Sequence, residues 1–319
     1  MITVPNAAGA DVTSPYDIEE IFPEDVRLPR RQSGGSPQGM AVTLLADYTL
    51  RARAWLPSAA IVVLLGEAGV SHAGARATIS RLARRGVLEG SRQGRASSYR
   101  LTEAAASVLS AGGRVLFAPA PDVGWDEWWT LIAFSLPQGD VVGRRELRGK
   151  LRWLGCAPLY DGLWISPHDL TEEAGAQLAG LASGAVTVFR ARHVELGESI
   201  GRDPVEAWDT AAIAERYDAF IQRWGSLRER VRRGRILGAE AVRTRTEVMD
   251  TYRRLPVLDP GLPSPLLPPD WPREPARELF AAIYDGLAGP AEDHVRAVAG
   301  PLPGVHAHTV ADLVAGVWP

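Results

Sequence analysis

Residues 69–102 read GVSHAGARATISRLARRGVLEGSRQGRASSYRLT, and the architecture of the N-terminal part follows from this stretch. Ser71 is a residue type that caps helices, and the periodic run after it predicts a helix through Arg84, stopped by Gly86. Ala75, Ile79 and Leu82 recur at i, i+4 and i+7, one apolar face for a core. Ala73, Arg76, Ala77, Ser80, Arg81 and Arg84 occupy the other side. VLEGSR and ASSYRLT then read as two short strands around Gln93-Gly94-Arg95, a hairpin with arginines at its tip. Gly94 supplies the positive φ that such a turn can require. Working outward, MAVTLLADYT (40–49) suits a short helix, and Pro57 suits the first turn of a second helix ending near Gly66. Three helices followed by a basic hairpin predict a winged helix-turn-helix over 38–111, with Thr102–Leu109 as a linker helix.

The 319-residue chain carries a net charge of −3, with 46% hydrophobic and 23% charged residues, an ordinary globular balance. Charge is distributed unevenly. Between Ser71 and Arg100 stand Arg76, Arg81, Arg84, Arg85, Arg92, Arg95 and Arg100 against Glu89 alone, so 7 − 1 = +6. A local patch of this kind attracts phosphates whatever the total. Arg76, Ser80, Arg81 and Arg84 are expected in or beside a major groove, with Ser71 and Ala77 on the same helix, and Arg92 and Arg95 at the hairpin tip against the backbone or minor groove. The guanidinium fork matches guanine O6 and N7. The competing reading is a solvated arginine face.

The single cysteine, Cys156, excludes an internal disulfide and fits a reducing cytoplasm. Six scattered histidines, with only His306 and His308 close together, give metal enzymes little support, and neither a metal nor a cofactor is expected. Met1 to Ala10 lacks the basic start and apolar run of a signal peptide, and no 18-residue apolar stretch spans a membrane. A cytoplasmic protein is expected.

Residues 1–37, broken by prolines and acidic between Asp11 and Asp25, read as a flexible arm. A Gly/Pro-containing joint (Gly112–Gly124) leads to a different pattern over 112–200. There WWTLIAFSL, GRRELRGKLRWLG, GLWISP, HDLTEEAGAQLAGLA and AVTVFRARHV predict strand–helix–strand–helix–strand, a ferredoxin-like α/β layer. The helix over 144–152 is basic (Arg144, Arg145, Arg148, Lys150, Arg152). Arg148 and Arg152 beside Trp153 and Trp164 are the candidate effector site, the arginines for phosphates and the indoles for an aryl or adenine ring. A solvated helix face and core tryptophans explain the same residues. From 201 to 319 the pattern turns all-helical, with Trp208, Tyr217, Phe220 and Trp224 as apolar anchors. Arg243, Arg245, Arg253 and Arg254 are candidate anion binders, but pairing with Glu240, Glu247 and Asp250 explains them as well. The proline-rich LPVLDPGLPSPLLPPDWP (255–272) predicts a helix-free extended strap. Helices over 274–288 and 290–299 and a loose tail complete an α+β multidomain chain. No P-loop, G-x-S-x-G or G-x-G-x-x-G occurs, and the first strand of the middle part ends Phe134-Ser135-Leu136 without a carboxylate for a nuclease metal, so no enzyme is expected.

The chain resembles the PaaX family of repressors, which control aromatic-acid catabolism in bacteria. The resemblance covers about 38–300 and is carried by the 69–102 stretch, by LRWLGCAPLYDGLWISP (151–167) and by RRLPVLDPGLPSPLLPPDWP (253–272), the last two being the more specific. It implies a homodimer on double-stranded DNA, a winged helix, a middle domain similar to the small CRISPR spacer-integration subunit, and a helical C-terminal domain. An acyl-CoA effector, typically phenylacetyl-CoA, that releases DNA is also implied. The longer N-terminal arm and Gly74, where a larger polar residue is usual, depart from the family pattern. The function expected is a ligand-responsive repressor reading a pseudo-palindromic operator; a winged-helix module that binds a protein partner is the alternative.

Overall fold

The computed structural model describes residues 36–117, 124–178, 185–194 and 203–317; the acidic arm expected over 1–37 lies outside them, apart from its last two residues. Backbone proximity divides the described residues into two compact units, one from Asp126 to Trp208, the other joining residues 36–125 with residues 209–317.

Helix α1 (Pro37–Thr49) begins where Ser36 Oγ accepts from the Gly39 amide at 3.0 Å and proline fills the first turn, where a missing N–H costs nothing. Strand β1 (Leu56–Pro57), α2 (Ser58–Glu67), α3 (His72–Arg84) and the hairpin β2 (Leu88–Gln93) and β3 (Ala96–Leu101) follow, close to the expected positions. They form an antiparallel sheet of order β1-β3-β2. Helix α4 (Glu103–Phe117) outruns the linker helix expected to end near Leu109 and continues through Gly112 and Gly113. A Cβ on Gly113 would stand 3.4 Å from the Leu313 carbonyl oxygen. The glycine lowers helix propensity by about 1 kcal/mol but allows the C-terminal segment to lie against α4.

The unit from Asp126 to Trp208 runs β4 (Trp128–Ser135), α5 (Val141–Trp153), β5 (Ala157–Tyr160), β6 (Leu163–Ser166), α6 (Thr171–Leu178) and β7 (Ala185–Arg192). Its antiparallel sheet has the order β5-β6-β4-β7. The strand–helix–strand–helix–strand reading therefore lacks one strand. β5 escaped it because it is a four-residue edge strand containing Pro158, which only an edge tolerates. Its signal was Asp161-Gly162, a two-residue hairpin turn with Gly162 at φ 78°. Ile132, Leu147, Leu151, Trp164, Leu170, Ala174 and Leu178 form the buried core under the helices. Trp208, expected to anchor the helical part, instead stacks on Trp129 in this unit at 6.3 Å.

Beyond it come α7 (Thr210–Trp224), α8 (Leu227–Arg232), α9 (Gly238–Tyr252), α10 (Leu255–Leu258), α11 (Arg273–Gly286), α12 (Ala288–Ala299) and α13 (Val310–Ala315). They do not form a body apart: α9 packs on α1, α12 on α2 and α13 on α4. An aromatic ladder joins the segments, with Phe117, Tyr252, Phe280 and Tyr284 stacked at 5.9, 4.2 and 5.1 Å between successive rings. The proline-rich strap contains a four-residue helix, α10, contrary to expectation, because Pro256 sits in its first turn, and a 3-10 turn over Ser264–Leu266. Asp259 holds the rest, gripped by Arg273 through both carboxylate oxygens at 2.5 and 2.6 Å and by the Tyr217 hydroxyl at 2.9 Å. The tail is not loose either. The His306 and His308 amides donate to the carbonyls of Tyr48 and Asp47 at 2.9 and 3.1 Å, and Val305, Ala307, Val310 and Leu313 are buried. No helix among the described residues is long and apolar enough to cross a membrane.

Asp47 lies buried on α1, accepting from the Tyr284 hydroxyl at 2.7 Å. Burial raises its carboxyl from 3.8 to about 6, against the opposing pull of Arg245 and Arg253. A raised folded-state value means that its stabilising contribution is complete below about pH 4 and is lost as pH rises through about 6. Acidification from pH 7 to 4.5 should therefore raise the urea midpoint of the native chain relative to Asp47→Asn. A difference independent of pH would show that Asp47 does not titrate in this window.

Candidate nucleic-acid interface

Helices α2 and α3 are joined by Ala68–Ser71, with Gly69 at φ 86° closing the turn. Ser71 caps α3, its Oγ accepting from the Gly74 amide at 3.1 Å. A Cβ at position 74 would come within 3.0 Å of that oxygen and 3.4 Å of Val70, which explains locally why glycine stands there. Ala75, Thr78, Ile79 and Leu82 are buried, and the opposite face shows His72, Ala73, Arg76, Ala77, Ser80, Arg81 and Arg84 to solvent. At 1.5 Å per residue, the helix is about 20 Å long, and its outer face is small residues between arginines. Arg76, Arg81 and Arg84 make no ion pair among the described residues. Arg85 turns inward, donating to Gln38 at 3.1 Å on α1.

The hairpin closes through Gly94 at φ 61°, and Arg92 and Arg95 are exposed at its tip, Arg92 Nε donating to the Gly94 carbonyl at 3.3 Å. Its base is tied down by pairings the sequence did not single out. Glu89, directly opposite Arg100 in the ladder, accepts from Arg100 at 2.7 Å and also pairs with Arg53. Arg53, held at φ 45°, also donates to the Leu101 carbonyl at 3.0 Å, and Arg100 lies over the Trp55 ring at 4.5 Å. No motif marks Arg53 and Trp55, because their partners are more than thirty residues away. With Glu89 and Arg100 neutralising one another, Arg76, Arg81, Arg84, Arg92 and Arg95 remain exposed outside the hairpin base. Arginines of the helix and of the hairpin tip are therefore exposed within one unit, without a carboxylate partner among the described residues.

The candidate effector residues are distributed differently. Arg148 approaches Asp161 at 3.7 Å, and the Arg152 guanidinium lies 5.6 Å from the Trp164 ring centroid. Trp164 is a core residue, 2% exposed, and Arg152 covers it. The Trp153 side chain lies outside the described residues. Cys156 is buried, its thiol pushed up to about 12 by burial, and inert at neutral pH. Arg245, grouped with possible anion binders, is fully buried instead, its guanidinium 3.6 Å from the Tyr284 ring centroid. Arg253 and Arg254 both pair with Asp250.

Three family models match the chain: PaaX-like protein over 36–105, PaaX protein central Cas2-like domain over 122–200, and PaaX-like protein C-terminal domain over 208–297. Over 241 residues the chain is 28% identical to the transcriptional repressor PaaX of Escherichia coli (strain K12), covering 73% of this chain and 74% of that one. In fold it is similar to an uncharacterized protein from Mycobacterium tuberculosis, with a TM-score of 0.56 and 20% identity over 82% of this chain and 98% of that one. Matched in chain order by three models of one family, from residue 36 to residue 297, the protein belongs to the PaaX-like family.

Proposed function

We propose that the protein is a ligand-responsive transcriptional repressor, not an enzyme, that binds double-stranded DNA as a homodimer. The observation that carries this reading is the arginine surface of α3 and the β2–β3 tip, where Arg76, Arg81, Arg84, Arg92 and Arg95 face solvent while the only acid of the stretch is consumed at the hairpin base. We read α1–α3 with the β1-β3-β2 sheet as a winged helix-turn-helix, with α3 entering the major groove and the hairpin tip lying on the flanking backbone. Arg76 and Arg81 are assigned to base edges, with Ser80 and Ala77 giving the helix a close approach. Arg84, Arg92 and Arg95 are assigned to phosphates, and Ser71 positions the helix start. A two-fold dimer would read half-sites about 34–36 Å apart, or a multiple of that, in a pseudo-palindrome. The Escherichia coli relative, a repressor by name, supports the direction of control.

The order β5-β6-β4-β7, with β6 between the two strands that α5 connects, supports a ferredoxin-like reading of the Asp126–Trp208 unit. We assign the effector, an acyl-CoA with an aryl group, to this unit, with the α5 arginines Arg148 and Arg152 meeting its phosphates. Such a ligand can release DNA only by binding the DNA-free arrangement more tightly. Calorimetry on the full chain with acyl-CoAs, free aromatic acids and nucleotides is the test. A fragment lacking residues 36–111 would strip α9, α12 and α13 of their partners. Binding of none of these compounds would remove the acyl-CoA assignment.

For DNA binding the test is recovery of genomic fragments with the purified protein, followed by titration at several salt concentrations. Log affinity should fall with log salt by about 0.9 per neutralised phosphate, and Arg95→Ala should flatten the slope by about one. An unchanged slope would move the hairpin tip off the DNA. Failure to retain any fragment, even at low salt, would favour a protein partner for the same surface.

A further inference from the structure

The C-terminal segment holds a side-chain cluster that DNA binding does not use. His306, His308 and Asp312 each present a ligand-type atom, and these atoms lie within 4.8 Å of one another. We propose that the three residues bind a divalent transition-metal ion of the zinc class. Two imidazoles and one carboxylate form a donor set of intermediate softness, suited to Zn²⁺ and Co²⁺ and poorly suited to Mg²⁺ or Ca²⁺, which require oxygen.

The strongest observation is His308. It is 0% exposed, and neither ring nitrogen has a hydrogen-bond partner among the described residues. A buried polar group left in this way keeps the full cost of its lost hydration. A metal ion offsets part of that cost by taking one of the two nitrogens as a ligand.

The other two ligands are already oriented. His306 Nδ1 stands 3.0 Å from Glu292 Oε2 on α12, which leaves Nε2 for the ion and sets a carboxylate behind the imidazole, as metal-bound histidines usually require. Asp312 Oδ2 accepts from the Thr309 amide and hydroxyl, both at 2.8 Å, while Oδ1 lies outside that cap. The backbone between them is pinned. The amides of His306 and His308 bond to α1, and that of Ala307 donates to Glu292 at 2.8 Å. Zinc bonds of about 2.0–2.1 Å bring tetrahedral ligands to about 3.4 Å of one another, a contraction that the half-exposed His306 side chain can supply by rotation. Three protein ligands leave a fourth position for water on the solvent side. Occupation would cross-link His306, His308 and Asp312 within the tail and, through the His306–Glu292 contact, brace the tail against α12, so metal affinity becomes stability of this segment.

The test uses the full-length, untagged, metal-stripped protein. Zn²⁺ is titrated in competition with a chromophoric chelator, and Co²⁺ is followed through its visible d–d bands. One equivalent of Zn²⁺ should bind, Co²⁺ should give the intense bands of a four-coordinate site, and excess Mg²⁺ should not compete. His306→Gln and Asp312→Asn, at partly exposed positions that leave the buried ring in place, should each weaken Zn²⁺ by at least about ten-fold and abolish the Co²⁺ bands. Glu292→Gln should weaken it by roughly 10–100-fold. Circular dichroism establishes that the variants are folded. Absence of stoichiometric Zn²⁺ binding by the native chain would overturn the proposal, as would unchanged affinity in folded His306→Gln and Asp312→Asn. Neither result bears on the arginine surface, which shares no residue with this cluster.

Discussion

Replacing Arg76 and Arg81 together with alanine should abolish operator-specific binding while leaving the fold intact. Both side chains are exposed on the outer face of α3 and contribute nothing to the Ala75–Thr78–Ile79–Leu82 face that packs inward. A bidentate arginine–guanine pair discriminates by about 1–3 kcal/mol. Removing both pairs costs about 2–6 kcal/mol, a fall in specific affinity of at least about thirty-fold. Residual binding through Arg84, Arg92 and Arg95 should be indifferent to sequence and strongly salt-dependent. Fluorescence anisotropy with the recovered operator and a scrambled duplex, at fixed salt, separates the two components. Operator affinity equal to that of the native chain, in a double variant with an unchanged thermal midpoint, would remove α3 from base recognition. Arg100→Ala is the informative contrast: it opens the Glu89 pair at the hairpin base, so stability should fall more than base discrimination does.

Replacing Arg245 with alanine should cost about 3–5 kcal/mol of stability, the range for breaking a buried charged group away from its partners. Arg245 is 0% exposed on α9 and donates to the carbonyls of Tyr284 on α11 and His308 in the tail. Its guanidinium also lies against the Tyr284 and Tyr48 rings, with centroids at 3.6 and 5.7 Å, and Asp47 supplies the nearby negative charge. Truncation removes the bonds to two carbonyls, leaves Asp47 without its main compensating charge, and opens a cavity among α1, α9 and α11. Since α1 belongs to the helix-and-hairpin segment and the other two to the C-terminal helices, the loss should appear as one cooperative transition of both segments. Urea unfolding followed by tryptophan fluorescence and circular dichroism measures it. A loss below about 1 kcal/mol would show that Arg245 is a tolerated burial rather than a tie, and well-separated transitions would show that the two segments unfold independently.

How much of this was legible in advance depended on the range of the interactions concerned. The helix α3, its Ser71 cap, its Gly86 stop and the hairpin around Gln93-Gly94-Arg95 could be read because each rests on neighbours within about four residues: cap to amide, i to i+4, turn to strand. The outward set Arg76, Ala77, Ser80, Arg81 and Arg84 emerged for the same reason, since a helical period assigns faces without knowledge of the partner, and Arg92 and Arg95 emerged because a hairpin tip is exposed. Short edge strand β5 was missed despite the local Asp161-Gly162 signal, because Pro158 in a four-residue run weighs against a strand until its edge position is known.

By itself, then, the sequence determined the local elements, the arginine face and, through three motif blocks in order, the family. The tertiary structure alone decided that Glu89 is claimed by Arg53 and Arg100, that Trp164 is core, and that Gly112 and Gly113 belong to a continuous helix. It also decided that the segment after Asp209 packs on α1, α2 and α4, and that the tail is pinned to Tyr48 and Asp47. These outcomes depend on interactions between residues from 11 to more than 250 positions apart. Periodicity records that a side chain must be buried, not which distant surface buries it, and only the folded chain brings those surfaces together.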